Sequence, residues 1–415
     1  MVKIQPLNAI VYNQDKINIK DVIAPPYDVI SKDYQDDLYS RSEYNIIKLI
    51  LNKEENPYID ARKNFDSWKE NKILISTDKP CIIYLIQKYK TNSGKLIERK
   101  GFIARNKIED FSTKSILPHE YTMSGPKKDR LDLVTTTGAF FSQIFMVYND
   151  PEKNIETKIA EKYMAQTPFI DVVDDNGVEN IAYIIDDEDD IELIESVLAD
   201  KNLLIADGHH RYETSMNYSK LHPENEYAQF VMSYFTNAAD ENLVIYPTHR
   251  IIEKDFSKEE LLNIVSKYYE VETNSSQKEF LDKIEVENKK QITTGLILKN
   301  DKNYYILKLK KDIEKNIDKP EVLQNLDLTV LHELILKKEL NYSEEELFGQ
   351  INIKYEKQEP VAFDSVKNNA SACFIMAYPK MQDIINISKE GYRMPQKSTY
   401  FYPKLLSGIV INPLI

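Results

Sequence analysis

Residues 203–213 read Leu203-Leu204-Ile205-Ala206-Asp207-Gly208-His209-His210-Arg211-Tyr212-Glu213. The four apolar residues at the start of this segment predict a short buried strand that ends at Asp207. Gly208 allows a tight turn, and the polar residues after it predict a helix. A helix N-terminus presents backbone N–H groups without intrahelical acceptors and a positive dipole end, and both favour an anion. The segment therefore predicts a strand, a turn and a helix that bind a phosphate or carboxylate at the turn.

The side chains at this turn favour the same interpretation. His209, His210 and Arg211 add donors that suit the geometry of a phosphate or carboxylate. Two alternatives stay open: Asp207 caps the helix while both histidines face solvent, or a metal binds Asp207 together with a histidine. Because adjacent helical residues point about 100° apart, one metal ligand with one phosphate contact is favoured over two histidine ligands.

A second candidate motif lies earlier in the chain. Pro118-His119-Glu120-Tyr121-Thr122 is followed by Lys127-Lys128-Asp129-Arg130, and the pattern indicates a loop that runs into a helix. His119 or Glu120 could act as a general acid or base, and the cations could anchor a substrate. The alternative is a surface loop with local ion pairs, which contribute little energy.

The third candidate motif is the basic tail, Met394-Pro395-Gln396-Lys397-Ser398-Thr399-Tyr400-Phe401-Tyr402-Pro403-Lys404. Lys397 and Lys404 flank Ser398, a second hydroxyl and three aromatic rings. This combination suits a phosphate and a stacked flat ring. The alternative is an edge strand that closes a sheet and has prolines at its ends.

The order of predicted elements sets the fold class. Strands and helices alternate irregularly, so we expect an α+β protein with mixed sheets and packed helices rather than a doubly wound parallel sheet. Ile46 to Leu51 is predicted as an apolar strand, and the turn Asp175-Asn176-Gly177 predicts a hairpin. Four regions are expected: an N-terminal α+β region over 1–150, a central region with the Asp207 turn over 151–255, a helix–hairpin–helix region over 256–355, and a C-terminal strand with the basic tail over 356–415.

Composition excludes several classes of protein. Lys+Arg 54 against Asp+Glu 67 gives a net charge of −13, which argues against a surface that tracks nucleic-acid phosphates. Apolar runs fall short of the roughly 20 residues that span a bilayer, and residues 1–6 show no export signal. Two cysteines cannot build a disulfide framework or a thiolate metal cage. We expect a cytoplasmic protein that does not bind membranes.

Taken together, the motifs resemble a bacterial and archaeal family, the domain of unknown function numbered ten-fifteen. The resemblance rests on Ala24-Pro25-Pro26-Tyr27-Asp28-Val29, on His119-Glu120 with Asp129-Arg130, on Ala206 to Glu213, and on the tail from Met394 to Gly408. These segments are spread from residue 24 to residue 408, so the resemblance covers nearly the whole chain, and they occur in the family's order. Gln396 stands where the family pattern has a proline.

The Asp207–Arg211 turn is also similar to the phosphate-binding turn of the ParB/sulfiredoxin-like group. That group includes nucleotide-hydrolysing partition proteins, sulfiredoxin and an ADP-dependent free-serine kinase. The resemblance implies that residues 208–211 cradle phosphate while Asp207 orients an imidazole or a metal. Sulfiredoxin chemistry needs a cysteine where this chain has His209, so that activity is disfavoured.

These observations lead to one leading hypothesis. The chain is expected to be a phosphotransferase or phosphatase that acts on a serine- or phosphoserine-like metabolite and uses ATP or ADP with Mg²⁺. The expected catalytic residues are Asp28, His119, Glu120, Asp207 and His210, with Asp28 or Glu120 as the base. The expected phosphate- and nucleotide-binding residues are Gly208, His209, Arg211, Arg130, Lys397, Ser398 and Lys404.

Two other functions use the same residues. A non-catalytic module that senses a nucleotide or metabolite would need the same anion site, and the motifs do not separate it from an enzyme. A DNA-binding relative of the partition proteins conflicts with the net charge of −13 and with the lack of a basic helical stripe. The sequence predicts neither a metal ligand set nor an oligomeric state.

Overall fold

The computed structural model describes residues 1–92, 94–122, 124–395 and 397–414. The chain forms two compact units: Met1–Val244 with Pro403–Ile415, and Ile245–Tyr402. Strands and helices are interspersed in both units, which confirms the α+β class and the mixed sheets with packed helices. The four regions expected from the sequence stay a prediction at their stated limits.

The first unit contains most of the strands. In chain order they are β1 Ile4–Gln5, β2 Ile10–Tyr12, β3 Leu74–Ser76, β4 Ile82–Lys90, β5 Leu96–Lys107, β6 Ile116–Leu117, β7 Ala139–Phe140, β8 Ile144–Tyr148, β9 Ile170–Val173, β10 Glu179–Ile185, β11 Leu203–Asp207 and β12 Phe230–Asn237. The α-helices are α1 Ile19–Val22, α2 Lys32–Arg41, α3 Ile47–Ile50, α4 Pro57–Glu70, α5 Ser124–Thr137, α6 Glu161–Met164, α7 Glu188–Leu198 and α8 His209–Leu221. Short 3₁₀ segments occupy Tyr27–Val29, Phe111–Thr113 and Tyr227–Gln229, and Glu156–Ala160 forms a π-helical turn.

A nine-stranded mixed sheet organises this unit. Its strand order is β6-β11-β8-β12-β5-β4-β10-β9, and β1 pairs with β5. Neighbours are antiparallel except that β11 runs parallel to β6 and β12 runs parallel to β8. Residues of the sheet and of α7 and α8 bury one core that includes Phe102, Met146, Ile194 and Tyr212. Burial of this apolar surface is the main force that holds the unit together.

Two local predictions have different outcomes. The hairpin around Asp175-Asn176-Gly177 is confirmed, because β9 and β10 pair in antiparallel register. The predicted strand from Ile46 to Leu51 is wrong, because residues 47–50 form the helix α3. Asn45 accounts for the difference: its side-chain oxygen accepts the Ile47 N–H at 2.9 Å, a local side-chain-to-backbone turn that competes with the extended conformation favoured by isoleucine.

The second unit is built around one antiparallel sheet. Its strands are β13 Val244–Tyr246, which begins at the unit boundary, β14 His249–Ile252, β15 Tyr269–Asn274, β16 Thr293–Leu298, β17 Tyr304–Leu309, β18 Ile353–Glu356, β19 Ala372–Ile375 and β20 Tyr400–Tyr402. Its α-helices are α9 Lys258–Tyr268, α10 Gln277–Glu287, α11 Glu321–Gln324, α12 Asp327–Val330, α13 Glu344–Gly349, α14 Glu359–Asn368 and α15 Met381–Lys389. Glu314–Asn316 is a 3₁₀ segment, and Leu331–Glu339 is a π-helix that follows α12.

Six of these strands form a sheet in the order β15-β17-β16-β19-β14-β18. Two apolar clusters cover it: one includes Leu261 of α9 and Leu331 of the π-helix, and the other includes Phe280 of α10 and Phe363 of α14. Gly295 in β16 permits the close approach of α10, because a Cβ there would lie 2.4 Å from Cζ of Phe280. After β20 the chain re-enters the first unit, where β21 Asn412–Pro413 pairs with β7.

The helices of both units were compared with the length and polarity of a membrane span. Within the described ranges, each helix is either too short or too polar to cross a bilayer.

Candidate functional site

The parallel pairing of β6 with β11 brings two of the predicted motifs to one edge of the nine-stranded sheet. Leu203 lies opposite Ile116 in this pairing. Because parallel neighbours end at the same edge, the residues that follow the two strands meet there. The His119 ring confirms the approach, since its Nδ1 lies 2.7 Å from the carbonyl oxygen of Ile205.

A β-bulge lies immediately before Asp207. In the pairing of β11 with β8, Ile205 faces Met146 and Asp207 faces Phe145, so Ala206 is an extra residue on β11. A bulge of this kind changes the direction of the side chain that follows. The side chain of Asp207 consequently does not follow the alternation between the two faces of the sheet that the earlier residues of β11 show.

Asp207 forms two ion pairs. Its Oδ2 lies 2.7 Å from Nη2 of Arg211, and its Oδ1 lies 2.5 Å from Nζ of Lys404. All three side chains are largely buried, with exposed fractions of 18%, 11% and 14%. Burial alone would raise the pKa of Asp207, but the charges of Lys404 and Arg211 hold it well below its usual range. We call Asp207, Arg211 and Lys404 the Asp207 cluster, which joins two cations to one carboxylate.

Gly208 is the N-cap of α8 and has the left-handed backbone angle φ 92°. The alternative in which Asp207 caps this helix is therefore wrong. The guanidinium of Arg211 folds back over Gly208, where an added Cβ would lie 3.0 Å from Nη2. Arg211 also donates from Nη1 to the carbonyl oxygen of Gln143 at 2.5 Å. These contacts fix the cation at the first turn of α8, beside the positive end of the helix dipole.

Glu120 lies between two imidazoles. The backbone N–H of His119 donates to Nε2 of His209 at 3.2 Å. The two imidazole rings meet edge to face, with their centroids 4.6 Å apart. Glu120 Oε1 lies 3.9 Å from Nε2 of His119, and Oε2 lies 4.0 Å from Nδ1 of His209. Since Nε2 of His209 accepts a hydrogen bond, its ring proton is on Nδ1, which faces Glu120. Both histidines are buried while Glu120 is partly exposed, so the carboxylate is the member of this trio that a substrate can reach.

The loop after Glu120 is attached to α8. Oε2 of Glu213 accepts the hydroxyl of Thr122 at 2.7 Å and the ammonium of Lys127 at 2.8 Å. These bonds hold the second motif against the same helix that begins at Gly208. They also compensate the charge of Lys127.

Arg130 is held by contacts inside the first unit. Its guanidinium pairs with Asp129 at 2.5 Å, donates to the carbonyl oxygen of Ile50 at 2.7 Å and stacks 4.1 Å from the ring centroid of Tyr27. Burial raises the pKa of Tyr27, and the charges of Arg211 and Arg130 oppose that shift, so the ring lies near both arginines. The expected role of Arg130 in phosphate binding stays a prediction.

Asp28 follows Tyr27 in an exposed 3₁₀ turn. The segment before this turn is anchored by two backbone hydrogen bonds between Ala24 and Ser407, at 2.8 and 3.2 Å. The expected catalytic role of Asp28 stays a prediction. His210 is the second residue of α8 and is half-buried, and its role also stays a prediction.

The basic tail is divided between the two units. Lys404 belongs to the first unit, where Nη2 of Arg99 donates to the carbonyl oxygen of Pro403 at 2.7 Å. Lys397 and Ser398 belong to the second unit. The Lys397 carbonyl oxygen accepts from Arg250 at 3.2 Å, and the Ser398 hydroxyl donates to the carbonyl oxygen of Pro395. Gln396, the departure from the family pattern, lies outside the described residues.

Sequence reasoning missed Gln143. Its backbone oxygen accepts from Arg211, and its side-chain amide donates to the carbonyl oxygen of Leu406 at 3.1 Å, so it links α8 to the C-terminal segment. The only sequence signal is a lone amide next to the apolar strand β8. That pattern has no specific chemical meaning without the fold.

Metal binding has limited support from the side chains. In the described part of the chain, no three His, Cys, Asp or Glu residues form a group that could hold a metal ion. Asp207 is already paired with two cations, so the Mg²⁺ expected from the sequence stays a prediction. Mg²⁺ often binds through one or two carboxylates together with substrate phosphates and water.

Comparison with known proteins identifies one family. The family model described as "Protein of unknown function (DUF1015)" matches residues 4–329. No curated protein matches the chain.

Several solved structures are similar to the chain at low identity. A free serine kinase in complex with AMP is 16% identical, with 72% of this chain and 88% of that chain covered and a TM-score of 0.38. A conserved hypothetical protein from Pyrococcus furiosus is 16% identical, with 72% and 92% covered and a TM-score of 0.35. C-terminally truncated SbnI from Staphylococcus aureus is 9% identical, with 75% and 87% covered and a TM-score of 0.38. These TM-scores are too low to carry an argument about this chain.

Proposed function

The chain belongs to the DUF1015 family of proteins of unknown function, and we propose that it is a nucleotide-dependent enzyme that transfers a phosphoryl group to or from a small hydroxylated metabolite. The Asp207 cluster carries this proposal. Arg211 and Lys404 share one carboxylate at the N-terminus of a 13-residue helix. The two cations and the helix dipole both favour the phosphates of a bound nucleotide.

Phosphoryl transfer depends mainly on positioned cations and on a base near the acceptor hydroxyl. The ion pairs of Arg211 and Lys404 with Asp207 supply the first requirement, because they position both cations beside the start of α8. Glu120 supplies the second, since it is partly exposed and lies near a ring nitrogen of each neighbouring imidazole, at 3.9 and 4.0 Å. Asp28 stays a second candidate for the base.

The proposed step has a simple balance. The acceptor oxygen attacks the terminal phosphorus of the nucleotide while Glu120 takes the hydroxyl proton. A new P–O bond forms, the bond to the bridging oxygen breaks, and that oxygen keeps the electron pair as part of the product nucleotide. Mg²⁺ would lower the charge on the phosphates when bound. A serine-like acceptor is the substrate class implied by the resemblance of the Asp207–Arg211 turn.

Labelled nucleotides test this proposal. We would incubate the protein with Mg²⁺, serine and ATP labelled at the γ-phosphate or ADP labelled at the β-phosphate, and measure transfer of the label. A general base contributes about 10²–10⁴-fold to a rate, so Glu120→Gln should lose at least 100-fold of turnover while it still binds nucleotide in calorimetry. The matched control is Glu192→Gln, an exposed glutamate on α7, which should behave as the wild type.

The outcomes separate the two classes of function. Transfer or release of label that depends on Glu120 supports an enzyme. Nucleotide binding without product contradicts the enzyme and favours the sensing module. Absence of nucleotide binding contradicts both functions.

A further inference from the structure

The second unit contains a cavity of about 540 Å³. This size lies within the range that small-molecule sites occupy. The residues that line it come from the second unit, between Pro247 and Ser398. Glu120, Arg211 and Lys404, which carry the proposed phosphoryl transfer, do not line this cavity.

Basic side chains dominate the charge of the cavity. Among the described lining residues, six are cationic and four are acidic; the cations are Arg250, Lys289, Lys290, Lys310, Lys311 and Lys380. A positive excess is notable in a chain whose net charge is −13. Such a local field raises the concentration of small anions.

Two neighbouring turns supply most of the lysines. Lys289 and Lys290 follow the end of α10, and Lys310 and Lys311 follow the end of β17. The Leu309 N–H donates to the carbonyl oxygen of Ile292 at 2.9 Å, which holds the two turns side by side. The fold thus gathers two Lys-Lys pairs that are about 20 residues apart in the chain.

Part of this charge has no internal partner. Neither Lys289 nor Lys311 forms an ion pair with any described residue. Lys290 pairs with Glu287 at 3.0 Å, and Lys380 donates to the backbone oxygen of Asn288 at 3.3 Å. Lys380 forms no ion pair with a described residue, although its charge acts on the nearby carboxyl of Asp383. Lys310 donates to backbone oxygens of Ser266 and Lys267, which do not line the cavity, so Lys289, Lys311 and Lys380 are the lysines best placed to contact an anion.

Arg250 adds a buried cation to the cavity wall. Its side chain is fully buried, donates from Nε to Nε2 of His332 at 3.3 Å and lies 4.8 Å from the ring centroid of Tyr355. Burial lowers the pKa of Arg250 to about 10, so the guanidinium stays charged at neutral pH. Desolvation is costly for such a group, and its position in a cavity wall is typical of a binding site.

Asp327 lines the same cavity and provides a polar contact. Its Oδ1 accepts the Leu328 N–H at 2.6 Å, whereas Oδ2 is buried without a hydrogen-bond partner among the described residues. Apolar side chains, including Leu328, Met376 and Ile384, form another part of the lining. The cavity therefore offers an anion site, an acceptor and an apolar surface.

We propose that this cavity binds a small anionic metabolite whose phosphate or carboxylate group is held by Lys289, Lys311 and Lys380. The apolar lining contacts the body of the ligand, and Asp327 accepts a hydrogen bond from it. The site is separate from the Asp207 cluster and does not depend on the function proposed for that cluster.

Lysine footprinting tests the proposal on the full chain. Inorganic pyrophosphate and citrate serve as the phosphate and carboxylate probes, at near-physiological ionic strength so that loose surface association is screened. Trace acetylation followed by mass spectrometry measures the rate at each lysine. We expect a probe to slow acetylation of Lys289, Lys311 and Lys380 at least threefold. Lys299 and Lys302, exposed lysines outside the cavity lining, should be unchanged.

Calorimetry with paired variants gives a second readout. The double substitution Lys289→Gln/Lys311→Gln should weaken binding of the protecting probe at least tenfold, and Lys299→Gln/Lys302→Gln should not. Protection by pyrophosphate alone assigns a phosphate ligand, and protection by citrate alone assigns a carboxylate. Protection by neither probe, or equal slowing of all five lysines, overturns the proposal. Because the footprint is local to the second unit, it is independent of binding at Arg211 and Lys404.

Discussion

At the scale of single residues, the central feature of the candidate site is Asp207, which forms ion pairs with both Arg211 and Lys404. Arg211 is four residues away in the chain and could be anticipated as a partner from helical spacing. Lys404 is 197 residues away, and no local pattern connects it with Asp207. The sequence therefore predicted the residue types of the cluster, while the pairing of Asp207 with a second cation required the fold.

Gly208 provides the first test at this scale. Alanine at this position must adopt a left-handed backbone and contact the Arg211 guanidinium, so we expect a stability loss of about 1–2 kcal/mol and weaker nucleotide binding. Gly177→Ala is the matched control, because Gly177 has φ 74° with open space around it. Urea unfolding should show similar losses for both variants, whereas calorimetry with ADP should show weakened binding only for Gly208→Ala. Equal ADP affinities would contradict the assigned role of Arg211.

Lys404 provides the second test, which has a defined pH dependence. The pKa of Asp207 is held below its unfolded value, so its contribution to stability is present above about pH 4 and is lost as the pH falls further. Lys404→Gln should therefore lower the free energy of unfolding by about 1–3 kcal/mol at pH 7, and the difference from wild type should shrink below pH 4. The control is Lys90→Gln, at the exposed end of β4. A difference that is constant from pH 7 to pH 3 would contradict the ion pair.

At the scale of elements, sequence patterns predicted the helices, strands and turns whose structure depends on residues close together in the chain. The strand and helix around Gly208 and the hairpin at Gly177 follow from turn chemistry and periodicity. The segment at Ile46 has no clear hydrophobic period, and a side-chain-to-backbone hydrogen bond from the Ile47 N–H to Asn45 favours a turn there. Placement of His119 beside His209 depends on a parallel strand, β6, of two residues, which is too short for any sequence signal.

Packing of α10 on β16 can be tested at Gly295. A methyl group there meets the Phe280 ring, so Gly295→Ala should destabilise the second unit by about 1–3 kcal/mol through overpacking. Phe280→Leu should be destabilising alone, yet it should recover part of the loss when combined with Gly295→Ala. A double-mutant cycle by chemical unfolding measures this coupling. Strict additivity of the two substitutions would show that the helix does not pack as described.

At the scale of the whole molecule, the two units should respond differently to acid. Burial lowers the pKa of His249 to about 3 and that of His332 well below its usual value. Unfolded histidines titrate near pH 6.5, so unfolding takes up protons and the second unit loses stability as the pH falls below about 6.5. Asp327 opposes this trend, because burial raises its pKa to about 6. Between about pH 6 and pH 4 the folded carboxyl becomes protonated, which removes the cost of burying its charge.

Hydrogen exchange read by mass spectrometry can follow each unit separately. We expect amides of the second unit to lose protection between pH 6.5 and 4.5 before those of β4 and β5 in the first unit. His249→Asn should flatten this dependence, Asp327→Asn should steepen it, and His222→Asn, at a partly exposed histidine, should leave it unchanged. Simultaneous loss of protection in both units would contradict the assignment of the acid response to the buried histidines.

The route of the chain through the two units has a consequence for biosynthesis. The first unit is interrupted after Val244, and Lys404 follows the re-entry at Pro403. During translation, Asp207 emerges from the ribosome long before its second cation. At ordinary elongation rates the delay is on the order of ten seconds. A nascent chain must therefore hold Asp207 at the edge of its sheet with Arg211 as its one cationic partner from the cluster until residues 245–402 have been synthesised.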